Sequence, residues 1–372
     1  MIAYEGMRRV YRADHVGSLL RPPELLSARN QAARGTRSAE ALREQEDAAI
    51  LQALERQRQV GLDIFTDGEF RRGSWITDMA DAVDGFVQQS RMVEWRGPGG
   101  GAEPSTSKVV GARLVPRRRL TGDQSTFLRA HAPGPIKMTL PAPSNFWVIG
   151  WKAGVSDQAY ASRSEMLRDV VGIVRDEIQN LIAEGADYIQ MDAPYYGVFI
   201  DEQHRATLRH AGIDPDQALR ECVAADQAAI ADLPRAGVTL ALHVCRGNSR
   251  SRWFSEGSYD PIAEQLFGTL DVDAFLLEYD APEREGGFEP LRYLRPGKVA
   301  VLGLITTKEP DLEPVALLER RIKAAERVVP LDQLAVSPQC GFASVALGNV
   351  LGQEDQWRKL ERVVQTARQV WG

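Results

Sequence analysis

The chain has 372 residues, 45 Lys and Arg against 51 Asp and Glu, and a formal net charge of -6, which gives no global electrostatic case for a nucleic acid or an anionic membrane as partner. No stretch approaches the roughly 20 apolar residues that a bilayer span needs. The opening "MIAYEGMRRVYRADH" has no apolar secretory core either, so a cytoplasmic protein is expected.

Taken in chain order, "HVGS" reads as a first short strand, a helical pattern runs from about Ser38 to Val60, and "DIFTDGE" reads as a second strand. Residues 86–134 then break the rhythm: "RGPGGGAEPSTSK" precedes "VVGARLVPRRRL". Two short β-branched runs among glycines and prolines predict a hairpin-bearing insertion after the second strand, not a domain of its own. Its cluster Arg117, Arg118 and Arg119 is expected to be a solvated face. From residue 135 onward short apolar runs alternate with helical patterns. The runs are "IKMTLP", "YIQMD", "TLALHVC", "AFLLEY", "VAVLGLI" and "LAVSPQC". The helical stretches are Ala159 to Glu184, Asp214 to Leu233, Pro261 to Leu270, Leu312 to Val328 and Glu354 to Val370. Eight strand candidates, each followed by something helical or long, predict an α/β chain. Its expected form is a single (βα)8 TIM barrel over residues 1–372.

In such a barrel the reactive groups come from the C-terminal ends of the strands. Those ends carry Ser18, Glu69, Pro141, Asp192, His243 with Cys245, Glu278, Thr306 and Cys340. His243 and Cys245 sit at i and i+2, so both side chains leave one face of a strand. With Glu278 and Cys340 from later strands they offer one imidazole, two thiolates and one carboxylate, a set suited to tetrahedral zinc. The competing reading is that a cysteine in an apolar strand is a small buried hydrophobe. Three cysteines are too few and too scattered for a disulfide framework, and Cys222, inside the helical "QALRECVAADQ", is expected to be core.

The segments "HVC", "LLEYD" and "SPQCGFAS", with "HVGSLLRP", "GLDIFTDGEFRR" and "YIQMDAP", resemble in order the motifs of the cobalamin-independent methionine synthase family, in its catalytic barrel. The resemblance runs from about Asp14 to Gly372. It implies a methyltransferase in which a zinc-bound thiolate takes a methyl group from a donor, with His243, Cys245, Glu278 and Cys340 as the zinc site. Ser18, Glu69 and Asp192 match positions that hold the carboxyl and amino groups of homocysteine, chemistry their hydroxyl and carboxylates suit. Trp147, in "LPAPSNFW", stands where the family has a tryptophan that stacks on the pterin of methyltetrahydrofolate; core packing is the competing reading.

The sequence also departs from the long enzymes of that family. It lacks their second, N-terminal barrel, and Thr306 and Thr307 stand where they have a proton-shuttling histidine. His15 sits beside the substrate serine and is expected to take over acid/base work there, since an imidazole titrates near neutral pH. These departures point to short relatives whose methyl donor is either methyltetrahydrofolate or a methylcorrinoid protein. Others of similar length open epoxides with coenzyme M. Retention of both Glu69 and Asp192 favours an amino-acid thiol, whereas Arg71, Arg72, Arg246 and Arg250 keep a sulfonate in view. A non-catalytic barrel with a structural zinc is the remaining alternative.

Overall fold

The fold is seen in a computed structural model that describes residues 9–372; the expectation drawn from the first eight residues lies outside it. Six strands form one parallel sheet in sequential order. Two strands, β1 (Val83–Trp95) and β2 (Gly101–Pro116), form a separate antiparallel ribbon. The parallel strands are β3 (Lys137–Pro141), β4 (Tyr188–Asp192), β5 (Thr239–Val244), β6 (Ala274–Glu278), β7 (Val299–Ile305) and β8 (Leu334–Pro338). Residues of β3, β4, β5, β6 and β8 are buried throughout. That is the condition of a parallel sheet covered on both faces, and it explains why these runs read as continuous apolar blocks and not as alternations.

The first two expected strands are each reduced to a single bridge. Ala13 pairs with Val336 of β8, and Phe65 pairs with Ile136 beside β3, both in parallel sense. The two segments meet through loop contacts: Thr66 Oγ1 donates to the Gly17 carbonyl at 2.8 Å and the Leu19 N–H to the Gly68 carbonyl at 3.0 Å. Beyond each bridge the backbone turns to positive φ, at Gly17 after the first and at Gly68 and Glu69 after the second.

The helices between strands follow the apolar pattern closely. The helix Ala39–Val60 starts at a Ser38 cap, Arg163–Ala183 at Ser162, and Pro215–Ile230 at Asp214, each cap accepting a backbone N–H. The ribbon is the larger surprise. Its strands run 13 and 16 residues, not two short runs, because "GGAEPSTSK", with no β-branched run, still pairs, Pro104 lying opposite Met92. A two-stranded ribbon leaves outer backbone groups to solvent, so Gly, Pro and Ser are tolerated there. Of the arginine cluster, Arg119 departs from expectation: it binds the Glu177 carboxylate at 2.7 Å, tying the ribbon's end to the helix Arg163–Ala183. Among the described residues no helix is long and apolar enough to cross a membrane.

Candidate active site

His243, near the end of β5, and Cys245, just beyond it, meet Cys340, which follows β8. Their ligand atoms all lie within 4.8 Å of one another, and all three residues are buried. The neighbours prepare each donor. His243 Nδ1 faces the Leu276 carbonyl at 3.3 Å, so a proton there leaves Nε2 with a lone pair, and among the described residues Nε2 has no hydrogen-bond partner. A hydrogen bond from Cys245 and the nearby His243 hold the Cys340 thiol well below its ordinary range. Cys245, the donor in that contact and buried, is pushed well above its own. His243 itself is raised, burial being outweighed by Cys340 and neighbouring carboxylates. One imidazole lone pair and one favoured thiolate beside a second thiol fit a soft divalent ion such as zinc.

Glu278 is not one of this group. It is fully buried, and its Oε1 accepts from Lys308 Nζ at 2.8 Å while Oε2 accepts from the Arg246 N–H at 2.8 Å. It belongs instead to a second cluster with Asp280 and Glu285. There burial and the neighbouring carboxylates push Glu285 up to about 9.

The His–Cys–Cys group opens into a cavity of about 430 Å³ that Ser18, Glu69 and Asp192 also line. Asp192 ends β4, where Gln190 Nε2 donates to its Oδ1 at 2.8 Å. Glu69 stands in a left-handed turn, φ 59°, which aims its side chain inward, and Thr139 Oγ1 donates to its Oε1 at 3.1 Å. Burial raises both carboxyls, Glu69 to about 7 and Asp192 to about 6; Arg72, 3.9 Å from Glu69, only partly offsets this. Two desolvated carboxylates in one cavity are an acceptor pair for a cation.

Two expected site residues are elsewhere. His15 does not line the cavity: its Nε2 lies 3.1 Å from the Ile64 carbonyl, and burial, then the charge of Lys137, lowers its pKa to about 4. An imidazole that stays neutral and faces the backbone is not placed for acid/base work. Trp147 is core packing: its Nε1 donates to Glu221 at 2.8 Å, its ring stands against Phe199, and Arg163 lies over it at 4.1 Å. Cys222 packs beneath Ser144 as expected of a core residue. Thr307 bonds Gln339, and Thr306 caps onto Glu313 through its N–H. Of the four arginines that suggested a sulfonate, only Arg250 lines the cavity. Arg71 pairs with Asp47, Arg72 is buried against Asp78, and Arg246 reaches the Gly257 carbonyl.

The aromatic surface is supplied by residues whose sequence context gave no signal. Trp75, Tyr195, Phe254 and Trp95 line the cavity as a continuous run, with successive ring centroids 6.2, 5.8 and 6.4 Å apart. Trp95 comes from the ribbon, and Arg252 clamps the ribbon to the loop after β5 by two bonds to Glu103, 2.8 and 2.9 Å. Gly247 lets that loop close: a Cβ there would stand 2.3 Å from the Phe254 ring, and its φ is +90°. The cavity thus has a thiol and metal-ligand end, a carboxylate pair, and an aromatic wall.

Comparison with known proteins agrees along the whole chain. The family described as cobalamin-independent synthase, catalytic domain, matches residues 13–369. The uncharacterized protein YxjH of Bacillus subtilis is 37% identical over 97% of this chain and 95% of its own length. A methionine synthase of Pyrococcus abyssi is 23% identical over 95% of this chain and 90% of that protein. The crystal structure of a putative vitamin-B12 independent methionine synthase from Listeria monocytogenes superposes with a TM-score of 0.76 at 29% identity. It covers 98% of this chain and 99% of that one.

Proposed function

We propose, for a chain that belongs to the cobalamin-independent synthase catalytic-domain family, that it is a zinc-dependent thiol S-methyltransferase forming methionine from homocysteine. The observation that carries this reading is the shared cavity: the buried His243, Cys245 and Cys340 face the same space as the raised carboxyl pair Glu69 and Asp192. We read the fold accordingly as one closed eight-stranded barrel domain with the ribbon as an insertion.

His243, Cys245 and Cys340 would hold zinc. Glu278 would complete the set only by giving up its Lys308 or Arg246 contact. Zinc, when bound, would supply Lewis acidity that keeps a substrate thiol ionised at neutral pH. The rest is the chain's own work. Glu69 and Asp192 accept the substrate's ammonium, which relieves their mutual repulsion and returns both to the ionised form. Ser18, which lines the same cavity, offers a hydroxyl to the substrate's carboxylate. Together they fix the sulfur's approach to the methyl group, the orientational part of the rate enhancement. The aromatic wall, Trp75, Tyr195 and Phe254, excludes water and offers flat faces to the donor, either methyltetrahydrofolate or a methylcorrinoid protein.

The epoxide-opening coenzyme M reading is the weaker one, because a sulfonate has no ammonium for the two carboxylates, Arg71, Arg72 and Arg246 do not line the cavity, and Arg91 and Arg252, which do, are bound to Tyr195 and Glu103. The test is turnover by zinc-loaded protein given homocysteine or coenzyme M, with methyltetrahydrofolate, methylcobalamin or an epoxide. Methionine from homocysteine is the expected product. Alkylation of coenzyme M alone, or no product from any pairing, would overturn the proposal.

A further inference from the structure

Asn248, in the loop after β5, lines the same cavity and is 6% exposed. Its neighbours dictate how the amide is turned. Thr307 Oγ1 donates its proton to Gln339 Oε1 at 2.6 Å, so toward Asn248 it acts only as an acceptor. The Gly341 carbonyl is an acceptor as well. The group 2.9 Å from each of them must therefore be the amide nitrogen, whose two protons serve both bonds. This fixes Oδ1 on the opposite side, where no donor among the described residues reaches it. A buried acceptor without a donor is destabilising, unless something that enters the cavity supplies an N–H or O–H.

The position says which end of the cavity Oδ1 serves. Gly341 follows Cys340 directly and abuts Ser18: a Cβ on Gly341 would lie 1.9 Å from Ser18 Oγ. The amide is therefore braced between the thiol end and the hydroxyl read above as the contact of an amino-acid carboxylate. At that end a thiol amino acid presents one strong donor, its ammonium.

We infer that Asn248 is a specificity-determining residue of the acceptor subsite, its Oδ1 accepting a hydrogen bond from the substrate's ammonium group. The inference rests on the reading of the cavity as an amino-acid thiol site. It adds a neutral acceptor to the two carboxylates, and it makes Thr307 and Gln339 positioning residues that hold the amide in one orientation. A site built on a fixed acceptor rejects an analogue lacking the donor, because the acceptor is then left buried and unpaired.

The test is calorimetric binding of methionine and of its desamino analogue, 4-methylthiobutyrate, so that no turnover is needed. Wild type is expected to prefer methionine strongly. In Asn248→Leu the preference should fall by about tenfold or more, chiefly through loss of methionine affinity. Asn248→Ala, which removes the same acceptor with a smaller side chain, should lower the preference likewise. Circular dichroism and melting establish that each variant is folded, and the Ala variant alone still decides the matter if the Leu variant is not. An unchanged preference in either folded variant overturns the inference. Wild type that binds methionine no better than the analogue overturns it too. Wild type that binds neither ligand removes the amino-acid reading of the cavity and this inference with it.

Discussion

Replacing Glu69 by Gln should change how stability depends on pH, and by an amount the site itself sets. Glu69 is buried, and in the folded protein its carboxyl is raised from 4.5 to about 7 by burial and by Asp192. A folded pKa above the unfolded one means the native state holds the proton more tightly. Its contribution is therefore complete below about pH 4.5 and is lost as pH rises through about 7. At ~1.4 kcal/mol per unit the full displacement corresponds to about 3 kcal/mol. Asp192 titrates in the same window, so the share that one substitution removes is about 1–3 kcal/mol. The assay is urea unfolding of wild type and Glu69→Gln at pH 5 and pH 8, without ligand. Wild type should lose more stability between the two than the variant does, by that amount. Parallel loss within about 0.3 kcal/mol, or greater loss in the variant, would refute the claim that this carboxyl is held protonated by its surroundings.

Other substitutions separate the site from its scaffold. Cys340→Ala should cut zinc content from about one per chain to below a tenth, read by elemental analysis, because three donors reduced to two no longer make a tetrahedral site. Tyr195→Ala should raise the donor's KM about tenfold while methionine affinity stays within about twofold, since a stacking face is worth 1–3 kcal/mol. Trp147→Phe should cost about 1–2 kcal/mol of stability, from its Glu221 bond and lost ring area, and leave kcat/KM nearly unchanged; a large rise in donor KM would restore it to the donor site. His15 titrates with the opposite sign to Glu69: lowered from 6.5 to about 4, it contributes stability above pH 6.5 that is lost as pH falls through about 4. His15→Gln should flatten that acid limb in unfolding experiments and leave the shape of the activity profile as it was.

The sequence made the parallel sheet and the thiol group legible for one physical reason. Strands buried on both faces must be apolar throughout, so a histidine, two cysteines and two acids at their ends stand out against that background. Helix starts were readable at Ser38 and Asp214, where a cap opens the helix, whereas the helix expected from Ala159 starts only at Arg163, after its Ser162 cap. The first two strands were overestimated because one bridge each, at Ala13 and Phe65, needs no ladder. The ribbon was underestimated because its pairing does not depend on β-branched residues. His15 and Trp147 were misplaced because sequence neighbourhood says nothing of which way a ring points: His15 adjoins the site in the chain but turns to the Ile64 carbonyl. Trp75 and Phe254 lie in separate loops and Tyr195 in the short helical turn Pro194–Tyr196, with no shared pattern, so only the folded chain brings their rings into one wall. Asn248 carried a faint signal, a short polar residue three positions after Cys245. Its role depends on Thr307 and Gly341, far away in the chain.

The claim on which the account turns is that His243, Cys245 and Cys340 present a metal to an incoming thiol. X-ray absorption at the zinc edge, on zinc-loaded protein before and after homocysteine, tests it directly. The expected shell holds two sulfurs and at least one nitrogen, and gains one sulfur when homocysteine is added. A shell that stays the same with saturating homocysteine would contradict it and leave a structural zinc in its place.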